Sequence, residues 1–360
     1  MIMAHHCLFH LTEFPKAWIP GMYDQLSFRI MDVSGSSMVS STLLILTGVM
    51  LLTAAIAYFM RREWYWIPAT AALLLLQVLI VIYWQDAKYA TFVTMLLLAA
   101  VIYSAAAMYF IKAATRAARR LLGQATVSER LVTENMIASL PQNVQRWLRQ
   151  SNVVERPTPV KIKILQEGTL RTKPDGRWMS FRATQYFTID PPGFVWIARI
   201  KAAPLIEIGG RDRYHNGKGN MVIKPLYLFR AADSSGREID QGTLIRYLAE
   251  MAWFPQAAVS EYLRWESIND RQARVTMDYA DVSASCVYTF NEKGNVATIE
   301  ARRYGEFDGV FRKETWSVAA TGYRVFNNIC IPNSNEVTWK LSEGDFQWLK
   351  LQVTDVIPQA

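Results

Sequence analysis

The stretch Val160-Lys161-Ile162-Lys163-Ile164 decides the architecture of most of this chain, because apolar and charged side chains alternate there residue by residue. A period of two puts one set on each face of a strand, so one face is dry and the other wet. The pattern recurs at Trp178–Ile189, Phe194–Lys201, Leu205–Arg213, Asn220–Phe229, Ala273–Tyr279, Ser285–Phe290, Val296–Tyr304, Phe311–Ala319, Tyr323–Ile329, Val337–Leu341 and Phe346–Val356. Short turn sequences separate the runs, among them Lys173-Pro174-Asp175-Gly176, Asn216-Gly217-Lys218-Gly219 and Glu292-Lys293-Gly294-Asn295. Even spacing with short turns predicts a large antiparallel meander, and a sheet of about eleven strands curls rather than staying flat. The expected fold is thus membrane helices plus an α+β domain, a curled, half-barrel-like antiparallel sheet with one or two packed helices.

One helix interrupts the strands. Thr243–Trp253 carries Leu244, Tyr247, Leu248 and Met251 at helical spacing, and Phe254-Pro255 ends it. Upstream, residues 112–156 read as a basic juxtamembrane and helical linker, with Pro141 dividing its second half into two short helices. The soluble β domain is expected to occupy residues 157–360, with the helix at 243–253.

The first third has a different chemistry. Val39–Met60, Trp64–Trp84 and Thr91–Ile111 are apolar runs of the length that crosses about 30 Å of hydrocarbon. They predict a three-helix transmembrane region over residues 39–111. Residues 1–38 read as an interfacial or truncated membrane segment, in which His6 and His10 share a helix spacing but lack a third metal ligand. Basic residues gather at Arg61-Arg62 and at Lys112, Arg116, Arg119 and Arg120, so both segments are expected on the cytoplasmic side of a bacterial inner membrane. That makes the chain multi-pass with a cytoplasmic soluble domain. Trp64, Tyr65, Trp66, Tyr83 and Trp84 sit where an aromatic belt would, and Gln77 is placed to hydrogen-bond a neighbouring helix.

Composition excludes more than it specifies. Of 39 basic and 31 acidic residues, nine and five precede Gly123, so the remaining chain has only a mild surplus and no nucleic-acid footprint. Three cysteines show no metal spacing, although Cys286 and Cys330 would be a conceivable disulfide if the domain were exported. No cofactor motif is present: the glycines around Lys218 lack the phosphate-loop spacing and read as a hairpin tip at Asn216-Gly217. No nucleophile elbow occurs, and no charged residue inside a span marks a transport path.

Two groups of residues carry the functional expectation. Aromatic residues on the strands, including Trp178, Tyr186, Phe194, Trp196, Trp265, Trp316, Trp339 and Trp348, either fill the core or line an apolar pocket inside the curl. Arg246 and Glu250 share a helix face, and if it turns inward they need partners, with Arg199, Asp212, Arg302 and Arg303 as candidates. The leading expectation is a non-catalytic, membrane-anchored domain that binds an apolar or amphipathic, lipid-like molecule. Its ligand-binding residues are Trp178, Trp196, Arg199, Asp212, Arg246, Glu250 and Arg303, the aromatics as wall and the charges as headgroup contacts. The expected partners are membrane lipids and an apolar small molecule. The rivals are a hydrolase or isomerase using Glu250 with Asp212 or His215, for which a buried carboxylate of raised pKa would be the base, and a membrane scaffold.

Several motifs also resemble a family of bacterial and archaeal membrane-anchored proteins of unknown function. They are Trp84-Gln85-Asp86-Ala87-Lys88, Gln166-Glu167-Gly168 with Trp178 and Gln185, Phe194-Val195-Trp196-Ile197-Ala198, Asp212-Arg213-Tyr214, Arg246-Tyr247-Leu248-Ala249-Glu250 with Trp253-Phe254-Pro255, and Arg303-Tyr304. The resemblance runs from Trp64 to the C-terminus. It implies four N-terminal helices and the same domain plan, and brings no catalytic residue or substrate. By strand count the sheet is also similar to the curled half-barrels of lipoprotein carriers.

Overall fold

The structure is a computed structural model that describes residues 37–126, 130–307 and 309–359. The expectations for the segment 1–36, including the pairing of His6 with His10, lie outside the described residues.

Among the described residues the chain begins with helices α1 (Ser37–Phe59), α2 (Trp66–Ile82), α3 (Trp84–Ala87) and α4 (Ala90–Leu122). Val39–Phe59 and Ala90–Leu122 are long and apolar enough to cross a membrane; α2 is apolar but shorter, at 17 residues. The second apolar run is therefore helical over less than its full length: Tyr83 leaves the helical region at φ −102° and ψ 39° and the chain restarts as α3. The third run does the opposite. It continues past Ile111 through the alanine-rich basic segment to Leu122, since nothing before Gly123 breaks it. By contacts the chain divides into two units, Met1–Tyr109 and Phe110–Ala360. In the first, Ala54, Ala69, Leu73, Leu97 and Val101 pack together, and small residues let helices approach closely. Gln77 finds its expected partner, donating to Thr91 Oγ1 at 3.2 Å.

In the second unit, short helices α5 (Glu134–Ala138) and α6 (Gln142–Gln150) lead into the sheet, split at Pro141. The strands are β1 (Lys161–Leu170), β2 (Met179–Thr188), β3 (Gly193–Ala203), β4 (Ile206–His215), β5 (Lys218–Pro225), β6 (Ala232–Ser234), β7 (Leu263–Asn269), β8 (Gln272–Tyr279), β9 (Val282–Phe290), β10 (Val296–Phe307), β11 (Val310–Phe326), β12 (Ile329–Leu341) and β13 (Gly344–Gln359). Among the described residues they form one open antiparallel sheet in the order β6-β5-β4-β3-β2-β1-β13-β12-β11-β10-β9-β8-β7. The short β6 and the polar β7 escape a periodicity reading. The run at Phe311–Ala319 and the residues Tyr323–Phe326 are one long strand, bent by register shifts around Gly322, and the turn comes only at Asn327-Asn328.

The topology explains the curl. The chain meanders outward from β1 to β6, then must reach β7 at the other edge before meandering back to pair β13 with β1. Helix α7 (Arg237–Glu250) and two 3-10 turns, Met251–Trp253 and Pro255–Val259, make that crossing. The helix packs against β4 and β5 near one edge and against β8, β9 and β10 near the other. One rod about 21 Å long by its rise per residue touches both flanks only if the sheet wraps around it. Accordingly α7 is buried almost all round, with Leu244, Ile245, Tyr247, Leu248, Ala249 and Glu250 enclosed, as a helix inside a core must be. It starts nearly two turns before the expected Thr243, because Gly236 supplies the positive φ of 116° that lets the chain turn into it.

The core fills the concave side. Trp147 from α6 packs against Trp265, Tyr288 and Phe290, while Phe187, Phe194, Tyr214, Tyr247 and Phe254 stack ring against ring. The convex side is covered over β3: Ala114, Ala118 and Leu121 of α4 bury Val195 and Ile197, with Tyr186 alongside. Tyr186 thus belongs to the outer face. Cys286 is buried in the core and Cys330 half-buried, and the two are unpaired, so the conceivable disulfide is not made.

At the middle of the sheet β1 passes so close to β13 that a Cβ on Gly168 would lie 2.0 Å from the Lys350 carbonyl oxygen. The backbone has no flexible end to move aside. Gly168→Ala is therefore expected to cost roughly 1–3 kcal/mol by overpacking, lowering the Tm of the purified chain by several degrees. A calorimetric Tm equal to that of the parent would show that β1 and β13 are not held at this separation.

Candidate functional site

Between α7 and the sheet floor lies a connected set of polar side chains. Arg246 turns toward the sheet floor, where Asp212 of β4 meets it. Its Nε donates to Glu250 Oε1 at 2.7 Å and its Nη1 to Asp212 Oδ2 at 2.7 Å. The guanidinium carbon lies 5.1 Å from the Phe194 ring and 5.0 Å from the Trp196 ring. Arg246 and the two carboxylates are nearly dry, with side chains 16%, 10% and 9% exposed for Arg246, Glu250 and Asp212.

A chain of hydrogen bonds ends on Glu250. Trp196 Nε1 donates to Gln166 Oε1 at 2.9 Å, Gln166 Nε2 to Gln185 Oε1 at 2.9 Å, and Gln185 Nε2 to Glu250 Oε2 at 2.7 Å. The indole sets the direction. It can only donate, so Gln166 must turn its oxygen to it and its nitrogen onward, and the same holds for Gln185. Burial still outweighs these donors and Arg246, and holds the Glu250 carboxyl above the usual carboxylate range. One guanidinium serves two carboxylates, and Asp212 Oδ1 has no hydrogen-bond partner among the described residues.

Arg303, on β10, reaches the same space. Its Nε donates to the Gly242 carbonyl at 3.1 Å, and its guanidinium lies 5.1 and 5.9 Å from the Trp316 and Trp339 rings. Burial pushes its pKa down to about 10 against the pull of Asp212 and Glu250. Further ties fix the helix: Asp240 accepts from Gly219 N at 2.7 Å, and Tyr288 Oη donates to the Leu248 carbonyl at 2.5 Å.

Of the residues singled out in the sequence, Trp196, Asp212, Arg246, Glu250 and Arg303 converge. Arg199 does not. Val195 and Ile197 lie on the convex side, so Arg199 follows them there and is exposed. Trp178 does not join either; it stacks with Arg171 at 4.8 Å and Lys350 at 5.6 Å beyond the end of β2. His215 lies three residues from Asp212 on β4 and so faces the other side of the sheet, bonded to Gln124. The network also includes Gln166 and Gln185, which are not among the site residues expected from the sequence although their signal is present there. Each is a polar residue in the inward register of a strand, after Ile162 and Ile164 in β1 and after Phe181 and Ala183 in β2.

A separate pocket of ≈ 270 Å³ opens where β1 begins and β13 ends. Ile162, Phe254, Phe326, Ile329, Ile331 and Val356 make its wall, and Arg156 and Gln256 stand at its polar side. Among the described residues, no three His, Cys, Asp or Glu side chains gather as a metal site requires.

Residues 130–351 match a family of unknown function, DUF6544. No curated protein matches. Among solved structures, a LolA superfamily protein from Nitrosomonas europaea is similar at 13% identity and a TM-score of 0.35, over 62% of this chain and 95% of that one. A DUF1329 family protein from Desulfovibrio piger is similar at 8% identity and a TM-score of 0.30, over 61% and 92%.

Two tests follow from the network. Arg246→Met leaves two buried carboxylates without their cation and is expected to cost about 3–5 kcal/mol, read by chemical denaturation; a loss under about 1 kcal/mol would mean that the carboxylates are solvated. Glu250 has the second signature. Its folded pKa is raised, so its protonation favours the folded state at low pH, and that contribution is lost as pH rises through the raised value. Relative to Glu250→Gln, the parent protein should therefore lose stability from about pH 4 upward. The reverse slope would show that Arg246 dominates over burial.

Proposed function

We propose that this chain, which belongs to the DUF6544 family of unknown function, is a membrane-anchored binding protein that holds one apolar chain of an amphipathic molecule. The observation that carries this reading is the ≈ 270 Å³ pocket lined by Ile162, Phe254, Phe326, Ile329, Ile331 and Val356. Ligand sites are mostly apolar with a few polar groups, and fall at roughly 300–1,000 Å³. A pocket just below that range suits a single alkyl chain rather than a multiply acylated lipid, with Arg156 beside it to meet an acidic head.

Helices α1 and α4 anchor the protein, with α2 between them. The basic residues Arg61 and Arg62, and Lys112 to Arg120, favour the cytoplasmic side for the segments that carry them. On this reading the β domain is cytoplasmic. The polar network under α7 has a different role. Arg246 is engaged by Asp212 and Glu250, and Glu250 is capped by Gln185, so these groups hold the crossover helix in the sheet rather than act on a substrate. A hydrolase or isomerase would need Glu250 accessible beside a polar partner, and His215 faces away from it.

The test uses the full chain in phosphatidylcholine nanodiscs, titrated with a polyene fatty acid whose fluorescence rises in an apolar site. Saturable binding is expected, weakened tenfold or more by Ile331→Trp, which fills the pocket. Absence of saturable binding, or affinity unchanged in the filled variant, overturns the reading.

A further inference from the structure

The turn from β3 to β4 is built against ordinary preference. Ala203 pairs with Ile206, so Pro204 and Leu205 make the turn. Leu205 takes φ 63°, at the position after a proline where glycine or asparagine is normally found. A left-handed conformation costs an ordinary L-residue roughly 1–2 kcal/mol, and this leucine is also 94% exposed. Neither feature helps the fold of the domain. A polar turn residue would serve it better, so the apolar tip points to something outside the chain.

Leu205 is not alone. The chain leaving β5 turns through Leu226 and Tyr227, also at positive φ, and presents Leu228 and Phe229 to solvent. The two turns are bound together: Leu226 N donates to the Glu207 carbonyl at 2.8 Å and Tyr227 Oη to Glu207 Oε2 at 2.7 Å. One corner of the sheet thus displays Leu205, Ile206, Leu228 and Phe229, at exposures of 94%, 44%, 44% and 64%. The charges around it are mainly basic, with Lys201 exposed, Arg230 exposed and paired with Asp233 at 3.2 Å, Lys224 half-buried, and Glu207 bonded to Tyr227.

What covers this corner is indicated by its anchor on α4. The Phe110 ring lies 5.6 Å from that of Tyr227, and both press on Gly209, where a Cβ would come within 2.6 Å of Tyr227 and 2.9 Å of Phe110. Phe110 and Ile111 end the apolar run of α4, and Lys112 begins its basic turns. From there α4 crosses the convex face to Leu121, which meets Gly193 at the opposite rim, about 16 Å further by helical rise. The apolar corner is therefore fixed at the residue where the apolar run of α4 gives way to its basic turns, and the apolar pocket opens at the opposite end of the strands.

We infer that the corner formed by Leu205, Ile206, Leu228 and Phe229 inserts into the surface of an anionic lipid bilayer, with Lys201, Lys224 and Arg230 against the headgroups. Apolar tips flanked by basic residues are the chemistry of such an interface. The inference rests on the part of the proposed function that makes α4 a membrane span, and the experiment separates the two.

The full chain, carrying Cys7→Ser and Cys330→Ser, is labelled with an environment-sensitive fluorophore at a single cysteine: Leu205→Cys, Phe229→Cys, Leu96→Cys or Lys293→Cys. Each is placed in nanodiscs of phosphatidylcholine and phosphatidylglycerol containing a lipid with a spin label near the headgroup or deep in the acyl chain. Leu96 tests the span and Lys293, in the turn between β9 and β10, is the water-side control. Labels at 205 and 229 are expected to shift to the blue and to lose half or more of their emission to the shallow quencher, with the label at 293 unaffected. If the label at 96 is quenched by the deep spin label but those at 205 and 229 behave like 293, the corner does not dock and the anchor stands. If none is quenched, both readings fall. A blue shift at 205 without lipid quenching would mean a protein covers the corner, which also overturns the inference.

Discussion

The helix that crosses the inside of the sheet is the constraint from which the rest of this structure follows. A meander that leaves β1 in one direction and returns to it from the other must connect its two far edges, and α7 makes that connection through the interior. An open sheet of this width tends to curl in any case. The crossover helix fixes how far, because it must touch β4 and β5 on one flank and β8 to β10 on the other. From Asp240 onward nearly every residue of the helix is buried, polar ones included.

A helix wholly inside a core has no polar face to place in water, so its charged residues must be neutralised where they lie. Arg246 does this with Asp212 from the sheet and Glu250 from the next helical turn. Replacing such a triad by apolar residues is often neutral or stabilising, so its presence is weak evidence of stability. What it supplies is a defined register, since only one rotation of α7 brings Arg246 to Asp212 and Glu250 to Gln185 at once. The two glutamines and the Trp196 indole extend that specification to β1, β2 and β3.

The two faces of the sheet divide the work. The concave side holds the crossover helix and the ring-stacked core, leaving its apolar pocket at one rim. The convex side receives the end of α4, with alanines packed close over Val195 and Ile197. That contact ties the β domain to the helix leading out of the apolar region, and it places the leucine-tipped corner at the start of the basic segment.

The alternation of Val160 to Ile164 and its successors determined by itself that the chain after residue 157 is a long antiparallel meander, and the apolar runs determined the helices before it. Local patterns suffice there because side-chain period is set by backbone geometry. The inward turn of Arg246 and its closure on Asp212 and Glu250 were legible as a possibility, since four residues separate Arg246 from Glu250 on one helix face. Tertiary structure alone decided the rest. Arg199 and His215 differ from Trp196 and Asp212 by three positions, an odd number, which sends them through the sheet to the other face. Trp178 stands past the strand end with Arg171 and Lys350. Gln166 and Gln185 meet because β1 and β2 pair in the register that places them near Glu250, a relation spanning 65 residues between Gln185 and Glu250 that no local pattern encodes. The fold class was a matter of periodicity; the site depended on which strands the crossover helix drew together.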